Sequence, residues 1–292
     1  MYSHFDLNNK SAYQRWRDQK LEQAPISIAD LIVEVNDPCK LNPLEQAALL
    51  QRCQRTNMVI YAARLHSADK NIPRKVGSQF GMENLDANWL AGEDGISEIK
   101  VSNESHSSRQ AYIPYTNRPL KWHTDGYYNA PERRIRGMLL HCVHSAAEGG
   151  ENRMMDHEMI YLMMREENSD FIRALCAPDV LTIPERTDDD GVARAEQSGP
   201  VFSVDADGKL HMRYTARTRS IEWKQDELSQ AAVAHLEKIL SSETPYIYKA
   251  RLESGMGLLC NNVLHDRAGF DDNPASPRLL YRARYLDRIA GS

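Results

Sequence analysis

A mainly β fold with flanking helices, closing as a double-stranded β-helix or jelly-roll barrel, is what this sequence predicts. Two observations carry that expectation. Many short apolar runs of strand length follow one another, separated by turn-forming Gly, Pro, Asn and Asp. A His-x-Asp pair, His123 and Asp125, stands early, and His265 stands late with Arg278 thirteen positions on (278 minus 265); residues with site chemistry, held far apart in sequence by short strands, suit a barrel. The chain has 292 residues, 41% hydrophobic and 26% charged, enough for one large core. It reads as a single elaborated domain. An N-terminal arm and helices over residues 1–56 pack on a barrel core over 57–292, with lid or insert segments near 102–120 and 184–200.

Taken in order, residues 11–24 are charged and aromatic, with Tyr13 and Trp16, and suit a short helix or a docking arm. Ile26 to Val35 mixes apolar and acidic residues as the start of a strand. Leu44 to Arg55 has helical apolar spacing, and Met58 to Ala63 is a compact apolar strand, the order expected of a helix packed outside a barrel. Val76 to Gly81 is a Gly-bounded helix end, and Gly95 to Val101 alternates as a half-buried strand does. Residues 102–116 are long, polar and aromatic enough to be a lid or substrate loop.

Met138 to Val143 is a buried strand leading to the turn Gly149-Gly150-Glu151-Asn152. Asp156 is placed to cap a helix through Ile160 to Met164, whose methionines read as core. Residues 184–200 form a polar insertion; Asp188, Asp189 and Asp190 read there as a solvated mobile loop, because neighbouring side chains diverge too far to share an ion. Val204 to Leu210 is a hairpin with Asp-Gly in its turn, continued by a strand from His211 to Tyr214. Gln225 to Leu240 is an amphipathic helix with Leu228, Ala232, His235, Leu236 and Leu240 on its apolar side, so His235 reads as structural. The last strand, Arg278 to Leu286, puts Leu279, Tyr281, Ala283 and Tyr285 on one face and Arg278, Leu280, Arg282 and Arg284 on the other. Arginines so repeated mean either a solvated face or the mouth of an anion-binding cavity.

The net charge of −5 argues against a nucleic-acid partner. The basic clusters Arg133-Arg134-Ile135-Arg136 and Arg213 to Arg219 read as solvated faces or local ion pairs. The five cysteines include no CxxC pair, so neither a zinc ribbon nor a disulfide framework is indicated. No apolar leader and no run of about 18 apolar residues is present, so no membrane partner and a cytoplasmic location are expected. A homo-oligomer is expected.

The chemistry centres on Lys121-Trp122-His123-Thr124-Asp125-Gly126-Tyr127-Tyr128. In an extended segment His123 and Asp125 point the same way. With His265 they supply two imidazoles and a carboxylate, which suit a ferrous ion held on one face with positions left open. The pair alone is weak evidence, because His4-Phe5-Asp6 offers the same spacing in a polar stretch with no apolar run around it. The company of the first pair separates them: Trp122 before, Gly126-Tyr127-Tyr128 after, and a distant histidine followed by an arginine.

Together the Trp-His-Thr-Asp motif, the Gly-Gly-acidic turn and the Asn261-x-x-x-His265 strand followed by Arg278 resemble the taurine-dioxygenase-like (TauD/TfdA) branch of the iron(II)- and 2-oxoglutarate-dependent dioxygenases, over roughly Met58 to Asp287. The resemblance implies that His123, Asp125 and His265 bind iron(II) and are catalytic. It implies that Arg278 pairs with the C5 carboxylate of 2-oxoglutarate, as a planar guanidinium suits a planar carboxylate. Asn152 stands where the family carries a hydroxyl against that carboxylate, and an amide can donate to it too. Arg282 lies roughly 13 Å further along the strand and so reads the cofactor's C1 end or an anionic substrate.

The implied reaction hydroxylates or otherwise oxidises a small anionic or zwitterionic organic substrate with O2, releasing succinate and CO2. With Asp125 present no position is left for a halide, so halogenation is not expected. Arg267, Tyr115, Tyr127 and Tyr128 join Arg282 as candidate substrate contacts, the tyrosines with Tyr112 and Trp122 forming either an aromatic rim or plain core. A zinc hydrolase or isomerase with the same ligands and a non-catalytic barrel binding a small acid are the alternatives.

Overall fold

The computed structural model describes residues 4–64, 67–86, 94–101, 112–188 and 191–292. Its centre is a pair of sheets. The larger has six strands in the order Ile32–Val35, Met58–Ala63, Met256–Cys260, Gly137–His144, Leu279–Tyr285 and Ile96–Ile99. Only its first pair is parallel; the others are antiparallel. The smaller has four antiparallel strands in the order Tyr248–Ala250, Asn152–Met155, Leu264–Arg267 and Leu120–His123.

Burial explains why these strands read as nearly continuous apolar runs. Ile60, Leu140, Cys142, Leu258 and Leu280 from the larger sheet meet Met154 and Tyr248 from the smaller one in a shared core. On the larger sheet's other face, Val59, Leu139, Leu259, Tyr281, Ala283 and Tyr285 pack under the helices Pro43–Thr56 and Ile72–Ser78 through Leu49, Cys53 and Val76. A strand covered on both faces has no solvent side on which to place polar residues. The helices His157–Glu167, Ser169–Leu175 and Glu227–Ser241 contribute to a third core, shared with Trp122, Met155 and Leu264 of the smaller sheet. This is the jelly-roll arrangement with flanking helices expected from the sequence.

Local signals set the helix ends. Asn42 accepts from the N–H groups of Leu44 and Glu45, Glu45 returns a bond to Asn42 N, and Pro43 opens the first turn. Asp156 caps the helix that it was expected to cap. Residues 11–24 resolve in favour of a helix, Lys10–Glu22, packed through Tyr13, Lys20 and Trp16.

Four expectations need correction. Ile26 is 95% exposed, and the strand starts only at Ile32, because Asp30 accepts from the N–H groups of Ile26 and Ser27 and draws the chain into a 3-10 turn. Residues 184–200 are no structureless loop: Arg186–Asp188 pairs with Gly191–Arg194, and Gln197–Gly199 pairs with Leu181–Ile183. Asp189 and Asp190 lie outside the described residues, as does most of the expected lid, residues 102–111. Leu228 is 39% exposed, and the buried side of its helix runs instead through Ser229, Ala232, Val233, Leu236, Ile239 and Leu240. Finally, the strand carrying His123 ends there, so Asp125 lies in a turn rather than two places along a strand.

Candidate active site

His123 and His265 are cross-strand partners, with ring centroids 4.3 Å apart. Each ring is held by its own strand: His123 Nδ1 donates to Lys121 O at 2.9 Å, and His265 Nδ1 to Val263 O at 3.0 Å. A carbonyl only accepts, so the proton sits on Nδ1 and both Nε2 atoms keep their lone pairs. His123 Nε2 lies 3.8 Å from Asp125 Oδ1, and ligand atoms of all three residues lie within 4.8 Å of one another.

The turn after His123 delivers the carboxylate. Gly126 has φ +68°, and a Cβ there would stand 2.4 Å from Ile135 Cγ1, so a side chain is excluded both by backbone and by space. Asn262, itself left-handed at φ 51°, accepts from Asp125 N at 2.8 Å and donates to Asp125 O at 2.9 Å. Burial, followed by the neighbouring His265, pushes the His123 imidazole down to about 3 despite the pull of Asp125. Burial alone would raise Asp125, but Arg282 and then Arg284 hold it well below the usual carboxylate range. Two imidazoles held through Nδ1 and one carboxylate, with Asp125 Oδ2 buried and without a hydrogen-bond partner, make a donor set suited to a divalent cation.

His123 and His265 of this trio line a cavity together with Ile99, Leu120, Leu140, Leu280, Asn152, Arg267 and Arg278. Arg278 is 6% exposed and has no carboxylate within ion-pair distance among the described residues. Burial lowers its pKa, outweighing the opposing pull of Cys142 and Asp272. Asn152 Nδ2 is likewise buried without a partner. A pocket that combines metal-ligand atoms, apolar walls, a guanidinium and an amide donor matches a short dicarboxylic acid that chelates a metal.

A family model described as "Taurine catabolism dioxygenase TauD, TfdA family" matches residues 66–284. The chain belongs to the TauD/TfdA family. It is 29% identical over 171 residues to a uridine-5'-phosphate dioxygenase of Amycolatopsis sp, covering 57% of this chain and 60% of that protein. A uridine-5'-phosphate dioxygenase of Streptomyces sp is 28% identical over 182 residues, covering 59% and 64%. The chain thus spans less than two thirds of the length of these relatives. In fold it resembles the non-heme iron oxygenase OrfP, solved with Fe, succinate and (3R,4R)-dihydroxy-L-Arg (TM-score 0.60, 15% identity, 92% of this chain and 90% of that one). It also resembles asparagine oxygenase with Fe(II), 2S,3S-3-hydroxyasparagine and succinate (TM-score 0.55, 12% identity, 94% and 92%).

In this TauD/TfdA chain the remaining expected contacts divide. Arg282 lines the cavity, but its Nη1 donates to Asp125 Oδ1 at 3.2 Å, so it does not lack a protein counter-anion; Asp266 is held by Arg153 instead. Arg267 also lines the cavity, yet its guanidinium donates to the carbonyls of Thr116 at 2.8 Å and Arg118 at 2.5 Å and lies over the Phe270 ring. It clamps the segment that precedes the metal motif. Tyr115 is 1% exposed and packs in the core between the sheets. Tyr127 and Tyr128 meet edge to face, and their hydroxyls accept from Arg217 at 3.1 Å and Arg284 at 2.8 Å. None of the three tyrosines lines the cavity.

Asp86 and Asn262 were not expected at the site; Arg284 was, through the arginine repeat of the last strand. Arg284 Nη2 donates to Asp86 Oδ2 at 2.6 Å, a buried ion pair behind Tyr128, and Arg133 reaches the other oxygen at 2.5 Å. Only the arginine repeat hinted at it, since Asp86 lies in a stretch without pattern. The decoy His4 stacks on Trp16 with centroids 4.9 Å apart and takes no part in the metal-suited cluster of the described residues, which is His123, Asp125 and His265.

Proposed function

We propose that the chain is an iron(II)- and 2-oxoglutarate-dependent dioxygenase that oxidises a small, negatively charged organic substrate. The observation carrying this reading is one cavity lined by His123 and His265, which cluster with Asp125, and by a buried Arg278 that makes no ion pair among the described residues. In it, His123, Asp125 and His265 would hold the metal, Arg278 would pair with the distal carboxylate of 2-oxoglutarate, and Asn152 would donate to the same group. Bound ferrous iron supplies dioxygen activation, while 2-oxoglutarate supplies the electrons and leaves as succinate and carbon dioxide.

The protein's own part is position and exclusion of water. The Nδ1–H bonds to Lys121 O and Val263 O fix both rings with Nε2 aimed inward. Arg282 steadies Asp125 as an anion, and Ile99, Leu120, Leu140 and Leu280 dry the space between metal and guanidinium. Two relatives named for uridine-5'-phosphate, itself an anion, support a negatively charged substrate.

The test is spectroscopic and chemical. Anaerobic addition of iron(II) and 2-oxoglutarate should give a weak visible absorption, and oxygen should then release succinate. His265→Ala should abolish both; absorption retained in that variant would remove His265 from the site. Succinate release with zinc in place of iron would overturn the redox reading.

A further inference from the structure

A second set of side chains stands beside the metal ligands and outside the cavity. Thr215 bridges His123 through the backbone, and two residues on, Arg217 Nη1 donates to Tyr127 OH at 3.1 Å. Tyr127 follows Asp125 by two residues and packs against Tyr128 with centroids 5.1 Å apart. Arg194, on the strand Gly191–Arg194, sets its guanidinium 5.8 Å from the Tyr128 ring. Burial lowers the Arg194 pKa, and the charges of Arg186 and Arg217 lower it further against the opposing pull of Tyr127 and Tyr128, which places all of these groups within one electrostatic neighbourhood.

The cluster is short of anions. Arg194 makes one hydrogen bond, from Nη2 to Pro184 O at 2.7 Å, and its buried Nε has no partner. Arg217 makes one from its guanidinium, to Tyr127. Among the described residues neither has a carboxylate within ion-pair distance. Tyr127 and Tyr128 each accept from an arginine, so each keeps its own O–H to donate, and no acceptor for either stands among the described residues. Two guanidiniums and two phenols therefore stand in one linked cluster with donors to spare. Arg194 is partly enclosed without a counter-charge, which is costly, and an anion bound between it and the exposed Arg217 removes that cost.

We propose that Arg194, Arg217, Tyr127 and Tyr128 bind the phosphate monoester of a phosphorylated small-molecule substrate. A carboxylate or sulfonate would neutralise one of the two guanidiniums; a phosphate monoester, at about −1.5 to −2 with three acceptor oxygens, neutralises both and satisfies the phenols. The insertion is fixed in place for this. Arg213 donates to Tyr127 O at 2.7 Å and to Leu181 O and Gln197 O at 2.8 and 2.7 Å, tying the strands that flank Arg194 to the turn that carries Tyr127. Calling the ligand a substrate rests on the dioxygenase reading; the anion site does not.

The experiment is a calorimetric titration of the full chain, held anaerobically with iron(II) and 2-oxoglutarate, using phenyl phosphate, phenyl sulfate and benzoate as probes. Phenyl phosphate should bind about tenfold or more tightly than either monoanion, and an Arg194→Gln/Arg217→Gln protein should lose about tenfold or more of that affinity. Tyr127→Phe, which keeps the ring and removes one donor, should weaken phenyl phosphate and leave benzoate unmoved. If the double variant unfolds, exposed Arg217→Gln alone should still weaken the phosphate probe. Equal affinity for phosphate and sulfate probes, or unchanged affinity in these variants, overturns the proposal. The parent's visible absorption separates the two ideas: absorption without phosphate binding sinks the anion site alone, whereas phosphate binding without absorption supports the site and removes the dioxygenase reading.

Discussion

Asn262 brackets the peptide of Asp125, accepting from its N–H and donating to its carbonyl, while the same amide nitrogen also donates to Ile135 O at 2.8 Å. One side chain thus holds the metal-ligand turn against the strand that leads to His265. Replacing it with alanine leaves an N–H and two carbonyls buried without partners, each costing about 1–3 kcal/mol. Asn262→Ala should therefore lower stability to denaturant and weaken cobalt(II) binding by roughly 10- to 100-fold, the range for residues that orient metal ligands. Cobalt affinity equal to the parent's would show that the turn holds Asp125 without Asn262.

Arg278 makes no ion pair among the described residues, so its substitution should act on the co-substrate and spare the metal. Arg278→Leu should raise the apparent KM for 2-oxoglutarate by tens-fold or more, from the loss of about 2–5 kcal/mol in a buried charge pair. Iron affinity should stay near the parent's. A KM change under about twofold would assign the distal carboxylate to another donor, with Arg267 the neighbour to test.

Arg282 touches Asp125 Oδ1 rather than a vacant cationic position. Arg282→Ala should therefore depress 2-oxoglutarate turnover alike with and without primary substrate, because the damage falls on a metal ligand. Loss confined to the substrate-stimulated part would show that Arg282 reads the substrate instead.

Away from the site, Lys20 Nζ lies 2.6 Å from both Asp156 Oδ2 and Glu158 Oε2, pinning the N-terminal helix to the helix that Asp156 caps. Burial alone would raise Glu158, but Lys20, with His157 and Arg288 beside it, brings its carboxyl down to about 2. A carboxyl depressed on folding contributes stability that is present above its unfolded pKa, about 4.3, and is lost as pH falls towards the folded value. Between about pH 4.3 and 2 the parent should lose stability more steeply than Glu158→Gln, followed by denaturant midpoint. Identical slopes would mean that the pair does not change on folding.

Most strands, the helix that Asp156 caps and the His123–Asp125 pair were legible in the sequence because each depends on local information, whereas His265 and Arg278 were joined to that pair only through the family resemblance. Apolar runs mark strands covered on both sides, as in Met58–Ala63 and Leu279–Tyr285; Asn42 with Glu45, and Asp156, announce helix starts; and His123 and Asp125 stand two residues apart. What stayed hidden depends on which distant segments become neighbours. Arg282 meets Asp125 across 157 positions, and Arg284 meets Asp86 across 198. The tyrosines after the motif are a case in point: the same aromatic run supports core or rim, and only the approach of Arg217, Arg284 and Arg194 decides it. The insertion became paired strands because Leu181–Ile183 offered an edge and Arg213 carried donors to its carbonyls. Sequence periodicity records which side of an element is buried, whereas the partner of a buried charge is set by packing between elements, and that only the tertiary structure decides.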